Sequence, residues 1–350
     1  MARTRRPTQS DIARAAGVSP AVVSLVINGR TDGKIRISAE TQARVRQAVV
    51  DLGYVPNMAA RQLAGGHNHL LGVFTYEPAF PLNASNFYYP FLVGIEEQAE
   101  ALGYDLLLFT RSSAGTGKRQ VYRDGINALQ AADGAVLLGT KEDRNELARL
   151  QGEVFPFVFV GRREIDGQPT AYVGADYESA AAEMIEHLAD LGHTNFLYLS
   201  DQGNLSESGL DREAGILRGM KDARIDRPED RLLRLHISAI TPEQMTTWLE
   251  EGVTAIVTQS LLFAHAVIRE AGAIDCRPPH DFSIAALGNS DDTIIDDGSV
   301  TSIQIPRRQM GAGAVQLLVK MLYHPDDVVS KQLLLECTLT HGESVGHPTR

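Results

Sequence analysis

From residue 69 onward, short apolar runs alternate with longer segments of helical periodicity, and this alternation limits the possible folds more than any other feature of the chain. Apolar runs in this arrangement are typical of buried parallel strands, because helices cover such strands on both faces. The runs form two sets, at residues 70–74, 105–109, 134–138 and 157–160 and at residues 195–199, 232–235, 255–257 and 282–286. We therefore expect a body with two doubly wound α/β sheets in series.

Two such sheets predict where a ligand would bind. Open parallel sheets take ligands beyond the carboxyl ends of their strands, so a cleft between two lobes is the expected site. The chain has 350 residues. It contains neither an apolar run near the roughly 18–20 residues needed to cross a bilayer nor the apolar core of a secretory signal. These features predict a cytoplasmic multidomain protein without a membrane partner.

The first 66 residues have a different pattern, in which helix caps and breakers follow one another closely. Thr8, Ser19 and Ser38 are suited to cap three successive helices, the third over residues 39–52, because their side-chain oxygens accept hydrogen bonds from backbone N–H groups. Gly17 would end the first helix. The residues expected in the core are Ile12, Ala13, Ala16, Val23, Val26, Ile27, Val45, Ala48, Val49 and Leu52. This pattern predicts a helix-turn-helix with a supporting third helix.

A fourth helical segment follows between Asn57, which can cap it, and the glycine pair Gly65 and Gly66. A helix of about eight residues is too short to be stable alone, so its order should depend on a partner. We expect this segment to act as a hinge.

Charge is distributed unevenly between these parts. Residues 1–66 hold ten basic and four acidic residues, a net charge of +6, whereas residues 67–350 hold 23 basic and 40 acidic residues, a net charge of −17. Phosphate neutralisation needs lysine and arginine, so a basic head suits DNA and an acidic body stays away from it. The helical pattern alone would also fit a small bundle that only packs, but the charge and the hinge favour DNA binding.

The head resembles the lactose-repressor (LacI/GalR) family. The matching runs are Asp11–Ser19, Val23–Ser24, Ile27–Gly29, Ser38–Thr41, Leu52–Asn57 and Ala60–Leu63. The resemblance implies a dimer that places its second helices in successive major grooves of a near-palindromic operator. It also implies paired hinge helices that wedge a leucine into the central minor groove, and Leu63 falls on that position with Ala60 beside it.

The candidate DNA-binding residues are Thr8, Ser19, Pro20, Ala21, Ser24, Leu25, Asn28, Arg30, Lys34, Arg36, Tyr54, Asn57, Ala60, Arg61 and Leu63. Two features depart from the family pattern. Leu25 replaces the usual arginine or histidine and can at best contact a thymine methyl group. The segment from Gly29 to Ile37 is longer than in the common pattern, and we hypothesise that its basic residues add backbone or minor-groove contacts.

The resemblance continues through the body, where it implies a periplasmic-binding-protein-like fold with three crossings between the lobes. We expect these crossings near residues 162–165, 288–293 and 322–326. The predicted domains are a helix-turn-helix domain (1–56), a hinge helix (57–66), a first lobe (67–163 with 292–323) and a second lobe (164–291 with 324–350). The whole fold class is thus α plus α/β.

For a small-molecule effector, Arg212 is the strongest candidate, since the matching family arginine holds ligand hydroxyls or carboxylates. An interlobe salt bridge is the alternative role for this arginine. Weaker candidates at matching or aromatic positions are Phe87, Tyr88, Tyr89, Arg162, Asp176, Gln259 and Asn289. Gln259 and Gly288 depart from residues common in the family, which leaves the effector open; a sugar is the expectation by analogy.

Enzyme signatures are weak. Residues 114–118 resemble the end of a phosphate-binding loop, but Ser112 replaces the required glycine, and no nucleophile-elbow motif occurs. The acidic residues between 291 and 297 suit a cation or a polar connector equally well. We expect no catalysis, no cofactor and no resident metal.

Together these features predict a homodimeric repressor that binds operator DNA and whose affinity for it is switched by a sugar-like effector. Two alternatives are a cytoplasmic sugar-binding protein whose head only packs, and a regulator of the same fold that has lost effector sensing. We expect a dimer because no leucine heptad follows Val345.

Overall fold

The computed structural model describes residues 7–27, 37–54, 68–77, 87–112, 119–140, 143–165, 169–203, 206–288, 298–324 and 330–349. The chain divides into two compact units, a head of residues 1–68 and a body of residues 69–350.

Three helices form the described part of the head: α1 (Gln9–Ala16), α2 (Pro20–Ile27) and α3 (Ala39–Asp51). Thr8 and Asp11 make a reciprocal capping box, in which the Thr8 hydroxyl accepts from the Asp11 amide at 3.4 Å and the Asp11 carboxylate accepts from the Thr8 amide at 2.9 Å. Gly17 ends α1 with φ +66°, a conformation that glycine adopts without strain.

The predicted core of the head is largely confirmed. Ile12, Val23 and Val45 are fully buried where the three helices meet, while Val49 packs at the edge of this cluster. The prediction that Leu52 is buried is wrong: its side chain is 39% exposed because α3 ends one residue earlier. The apolar periodicity of α3 therefore runs beyond the helix itself.

The body contains strands of two to six residues with helices between them. The strands are β1 (Leu70–Thr75), β2 (Asp105–Phe109), β3 (Tyr122–Arg123), β4 (Ile126–Asn127), β5 (Gly134–Leu138), β6 (Phe157–Val160), β7 (Tyr172–Ala175), β8 (Phe196–Asp201), β9 (Leu232–Leu235), β10 (Ala255–Thr258), β11 (Ser283–Ala286), β12 (Thr301–Gln304), β13 (Gln332–Leu335) and β14 (Thr338–Thr340). The helices are α4 (Tyr89–Ala101), α5 (Arg144–Gly152), α6 (Tyr177–Asp190), α7 (Glu207–Asp222), α8 (Pro242–Glu250), α9 (Leu261–Gly272) and α10 (Arg307–Tyr323), with short 3-10 helices at Ala128–Ala131, Pro228–Arg231 and Ile237–Ala239.

Two six-stranded sheets organise the body, as the apolar runs predicted. The first has the order β13-β7-β6-β5-β1-β2 and the second the order β14-β12-β11-β10-β8-β9. Pairing is parallel in both, except that β14 runs antiparallel to β12. The strands β2 and β9 lie at sheet edges and are only partly buried, contrary to the expectation of uniformly buried strands.

The predicted crossings between the lobes are wrong in position. Strand β7 belongs to the first sheet and β12 to the second, so the chain crosses after Ala175 and between Gln304 and Arg307; it crosses a third time between Leu335 and Thr338. Two of these crossings are adjacent, because the Asp176 amide donates to the Leu335 carbonyl at 2.8 Å. The apolar pattern missed β7, β12, β13 and β14; the strands β12 and β14 consist largely of threonine, serine and glutamine rather than apolar residues.

No single helix of the described residues is long and apolar enough to span a membrane; α1 and α2 reach that length and apolarity only when they are taken together across a sharp bend.

Candidate functional site

The first candidate site is the helix pair of the head. Helices α1 and α2 meet at 103°, and the turn between them, residues 17–19, contains one glycine. A pair of helices at about 90–120° joined by a turn of three or four residues is the geometry of the helix-turn-helix. The Ser19 hydroxyl accepts from the Val22 amide at 3.3 Å and so fixes the start of α2.

Helix α2 has one packed face and one outer face. Val23 and Val26 are buried, Pro20 and Ala21 are exposed, and Ser24 and Leu25 lie between these extremes. The helix carries no charged side chain. Its outer face therefore offers small and apolar groups, which suit thymine methyl contacts better than bidentate hydrogen bonds to guanine.

The remaining DNA-binding candidates fall into two groups. The Thr8 hydroxyl donates to the Asp11 carboxylate at 2.7 Å, and Tyr54 packs against the head core, so both have local structural roles. Asn28, Arg30, Lys34, Arg36, Asn57, Ala60, Arg61 and Leu63 lie outside the described residues. The hypotheses on the basic loop and the hinge leucine therefore stay predictions.

The second candidate site is the cleft where the carboxyl ends of the two sheets meet. Arg212 on α7 is 8% exposed, and two of its N–H groups donate to backbone carbonyls, Nε to Leu287 and Nη1 to Ser208, each at 2.9 Å. Its guanidinium lies 3.9 Å from the centre of the Tyr177 ring. These contacts hold the planar guanidinium in one orientation, with Nη2 3.9 Å from the place that a Cβ at Gly288 would take.

The first lobe contributes a polar network that faces this cleft. The Tyr88 hydroxyl donates to the Glu77 carboxylate at 2.6 Å, and the other Glu77 oxygen accepts from the Thr140 amide and hydroxyl at 3.0 Å each. Burial and the hydrogen bond to Glu77 raise the pKa of Tyr88. Arg119 donates to the Glu77 carbonyl at 2.9 Å and to the Thr75 hydroxyl at 2.7 Å.

Sequence reasoning missed Glu77 and Arg119. Glu77 was detectable as an acidic residue two positions after an apolar strand, whereas Arg119 lies far from β1 in sequence and gave no signal.

The structure separates the aromatic candidates. Phe87 and Tyr88 pack edge to face with centroids 5.2 Å apart, and the Arg307 guanidinium lies 5.2 Å from the Phe87 ring centre. Tyr89 is 53% exposed at the start of α4. The first two rings thus belong to one cluster and Tyr89 lies apart from it.

The other effector candidates also have defined places. Arg162 is engaged by acidic side chains, and the Asp176 carboxylate caps α6 by accepting from the Ser179 amide at 3.0 Å. Gln259 is half-buried at the carboxyl end of β10, while Asn289 lies outside the described residues. Across the part of the chain that the structure describes, no three His, Cys, Asp or Glu side chains are grouped so that they could hold a metal ion.

The head of the chain matches one known family and part of the body matches another. Residues 8–57 match the family described as bacterial regulatory proteins, lacI family, and residues 185–345 match a periplasmic binding protein-like domain. The head of this chain is a lacI-family domain. This family consists of transcriptional regulators, and the present chain is a DNA-binding transcriptional regulator with an N-terminal helix-turn-helix.

Similar proteins match the regulator over nearly its whole length. The maltose regulon regulatory protein MalI of Escherichia coli (strain K12) is 28% identical, with 97% of this chain and 99% of MalI covered. The HTH-type transcriptional regulator CelR of Thermobifida fusca is 27% identical, with 91% of this chain and 93% of CelR covered. A structure of the lac repressor dimer bound to operator and the anti-inducer ONPF shares the fold, with a TM-score of 0.70 at 24% identity over 98% of this chain and 100% of that one.

Proposed function

We propose that the regulator binds a near-palindromic operator as a homodimer and represses the adjacent genes. The observation that carries this proposal is the 103° helix pair with the outer face of α2 available to a major groove. One such head reads one half-site, so a palindrome requires two chains. The lac repressor, which has the same fold, is a dimer on its operator.

We further propose that a small molecule, expected to be a sugar, binds in the cleft and changes operator affinity. The support is the fixed Arg212 fork on one wall and the Tyr88 and Glu77 network on the other, which together offer donors and acceptors to a hydroxyl-rich ligand. Among proteins of the same fold, CelR has been solved as a complex with cellobiose. The candidate effector residues remain proposals.

In this proposal the body is a sensor without catalytic activity, and the protein acts in the cytoplasm, where the chromosome is. A change in the angle between the lobes would alter the spacing of the two hinge segments. A marginal helix pair is easily switched, because its ordered and disordered states differ by only a few kcal/mol.

Selection of genomic fragments by the full chain tests the first proposal. We expect enrichment of fragments that share a near-palindromic sequence, with half-sites about one helical turn apart. The body alone, residues 69–350, is the control because it forms a compact unit of its own. If the full chain enriches no sequence, or if the body enriches the same one, operator binding by the head is wrong.

Thermal-shift measurements against mono- and disaccharides test the second proposal. A ligand at 100 times its Kd should stabilise the chain by about 2.7 kcal/mol. Arg212→Met should abolish the shift, whereas Arg218→Met is a matched control, since Arg218 lies on the same helix in an exposed ion pair with Glu178. The absence of any shift across the panel would favour a regulator that does not sense sugars.

A further inference from the structure

Helix α7 presents two carboxylates to the first lobe. Glu207 and Asp211 are four residues apart, a spacing that places both side chains on one face of the helix. This helix belongs to the second lobe, because the Arg212 side chain donates to the end of β11. The groups that the two carboxylates meet all come from the first lobe.

The outer pair joins Asp211 to Arg162, which follows β6. The guanidinium binds both carboxylate oxygens, Nε to Oδ2 at 3.0 Å and Nη2 to Oδ1 at 2.6 Å, and Nη1 also pairs with Glu164. The two side chains are 24% and 17% exposed. A bidentate geometry at this depth is stronger and more directional than a surface ion pair.

The inner pair is more deeply buried. Glu207 accepts from Arg144 Nη2 at 3.1 Å and lies 3.4 Å from Arg163 Nη1. Arg163 and Glu207 are each more than nine-tenths buried, and the Arg163 guanidinium stacks over the Phe159 ring at 4.4 Å. Because water is largely excluded from this pair, salt screens it less than it screens an exposed pair.

Removal of one partner would leave an isolated charge in this interior. Burial raises the pKa of Asp211 although the hydrogen bond and charge of Arg162 oppose that rise, which shows that withdrawing this carboxylate from water has a cost. Removing one partner of a buried ion pair is costly, because the other charge stays buried without its counter-charge. In the closed arrangement each of these charges therefore depends on its partner from the other lobe.

We propose that Arg144, Arg162 and Arg163 of the first lobe and Glu207 and Asp211 of the second form an interlobe clamp that holds the cleft closed. The contacts are made entirely by the chain's own side chains, so closure by the clamp requires no small molecule. Any movement that opens the cleft must separate all of its pairs together. The clamp thus sets the resting balance between open and closed bodies, on which an effector would act.

The clamp redefines the role of Arg162. All of its side-chain nitrogens face carboxylates, so it is a positioning residue between the lobes rather than a ready contact for an effector. The proposal depends on neither the operator nor the effector and can fail independently of the proposed function.

Distance measurement between spin labels on the two lobes of the full-length chain tests the clamp. Labels at Ala148→Cys on α5 and Glu250→Cys on α8 report the lobe separation, with the native thiols removed as Cys276→Ser and Cys337→Ala. We expect one narrow distance population in this background. The pair Glu207→Gln with Asp211→Asn keeps side-chain volume but removes both charges, and most molecules should shift to a longer, broader distribution.

Glu178→Gln is the matched control, because it breaks the exposed Glu178 and Arg218 pair within the second lobe and should leave the distances unchanged. The double variant Arg162→Asp with Asp211→Arg re-forms the outer ion pair with its charges reversed. It should restore much of the narrow distance population. If the uncharged variant is folded by circular dichroism and keeps the background distribution, the clamp does not hold the lobes. If it loses its fold, Asp211→Asn alone decides in the same way, by a shifted or an unchanged distribution.

Discussion

Replacement of Gly94 by alanine is a perturbation whose magnitude follows directly from the structure. Helices α4 and α10 cross so closely that a Cβ at position 94 would lie 1.9 Å from the Arg308 carbonyl oxygen, and a Cβ at Gly311 would lie 2.2 Å from the Phe91 carbonyl oxygen. Both obstacles are backbone atoms, which cannot rotate away. The helices must therefore separate, and overpacking of this kind typically costs about 1–3 kcal/mol.

We expect Gly94→Ala to cost about 3 kcal/mol, the upper end of this range, because α10 also packs on β5, β6 and β7 of the first sheet and resists movement. Gly152→Ala is the control, since nothing lies within 4 Å of its added Cβ at the end of α5. That change should be neutral or stabilise by up to about 1 kcal/mol. The assay is urea unfolding followed by circular dichroism. A Gly94→Ala variant within about 0.5 kcal/mol of the parent would refute the close helix crossing as a constraint.

Three further predictions concern local chemistry. Burial lowers the pKa of His193, so the folded state favours the neutral imidazole. The free energy of unfolding should therefore fall as the pH drops below the unfolded-state pKa of about 6.5, by up to about 1.4 kcal/mol per pH unit. His193→Gln should remove this part of the pH dependence, measured by urea unfolding. Burial raises the pKa of Cys337 to about 11, so a thiol reagent near neutral pH should modify Cys276 in the folded chain and both cysteines only after unfolding. Thr8→Ala removes a capping box and should destabilise α1 by about 0.5–2 kcal/mol, measured as faster amide exchange in that helix, while Ser10→Ala at an exposed helical position should not.

The starts of the head helices could be predicted to the residue, because each start is set by local signals. The Thr8, Ser19 and Ser38 caps and the left-handed Gly17 lie next to the backbone groups that they satisfy. The angle between α1 and α2 could be predicted only as a motif, since it depends on how three apolar faces pack together.

The body was predictable as two parallel sheets but not in its connections. Apolar runs such as that of β1 identify a strand without context, whereas β12 has three polar residues among its four and gains its place from neighbouring strands. The crossings between lobes therefore fell in the wrong loops. Pairing between distant segments, which decides these positions, leaves no periodic trace in the sequence.

The candidate cleft shows the same limit. Arg212 was chosen as a candidate from its motif, and the structure holds its guanidinium in one orientation at the carboxyl end of β11. The engagement of Arg162 by Asp211, 49 residues away, depends on lobe packing and could not be derived from the two positions separately. Charged residues that pair across a chain in this way look like ligand contacts until the partner is known.

The salt dependence of binding to a selected DNA fragment tests the central claim most directly, namely that the basic head recognises operator DNA. Fluorescence anisotropy of the full chain should show affinity that falls by about 10³–10⁵ between 50 and 200 mM salt, as expected for a dimer that neutralises roughly six to ten phosphates. The body alone should not bind. Affinity that is independent of salt, or binding by the body equal to that of the full chain, would contradict the assignment of DNA recognition to the helix-turn-helix head.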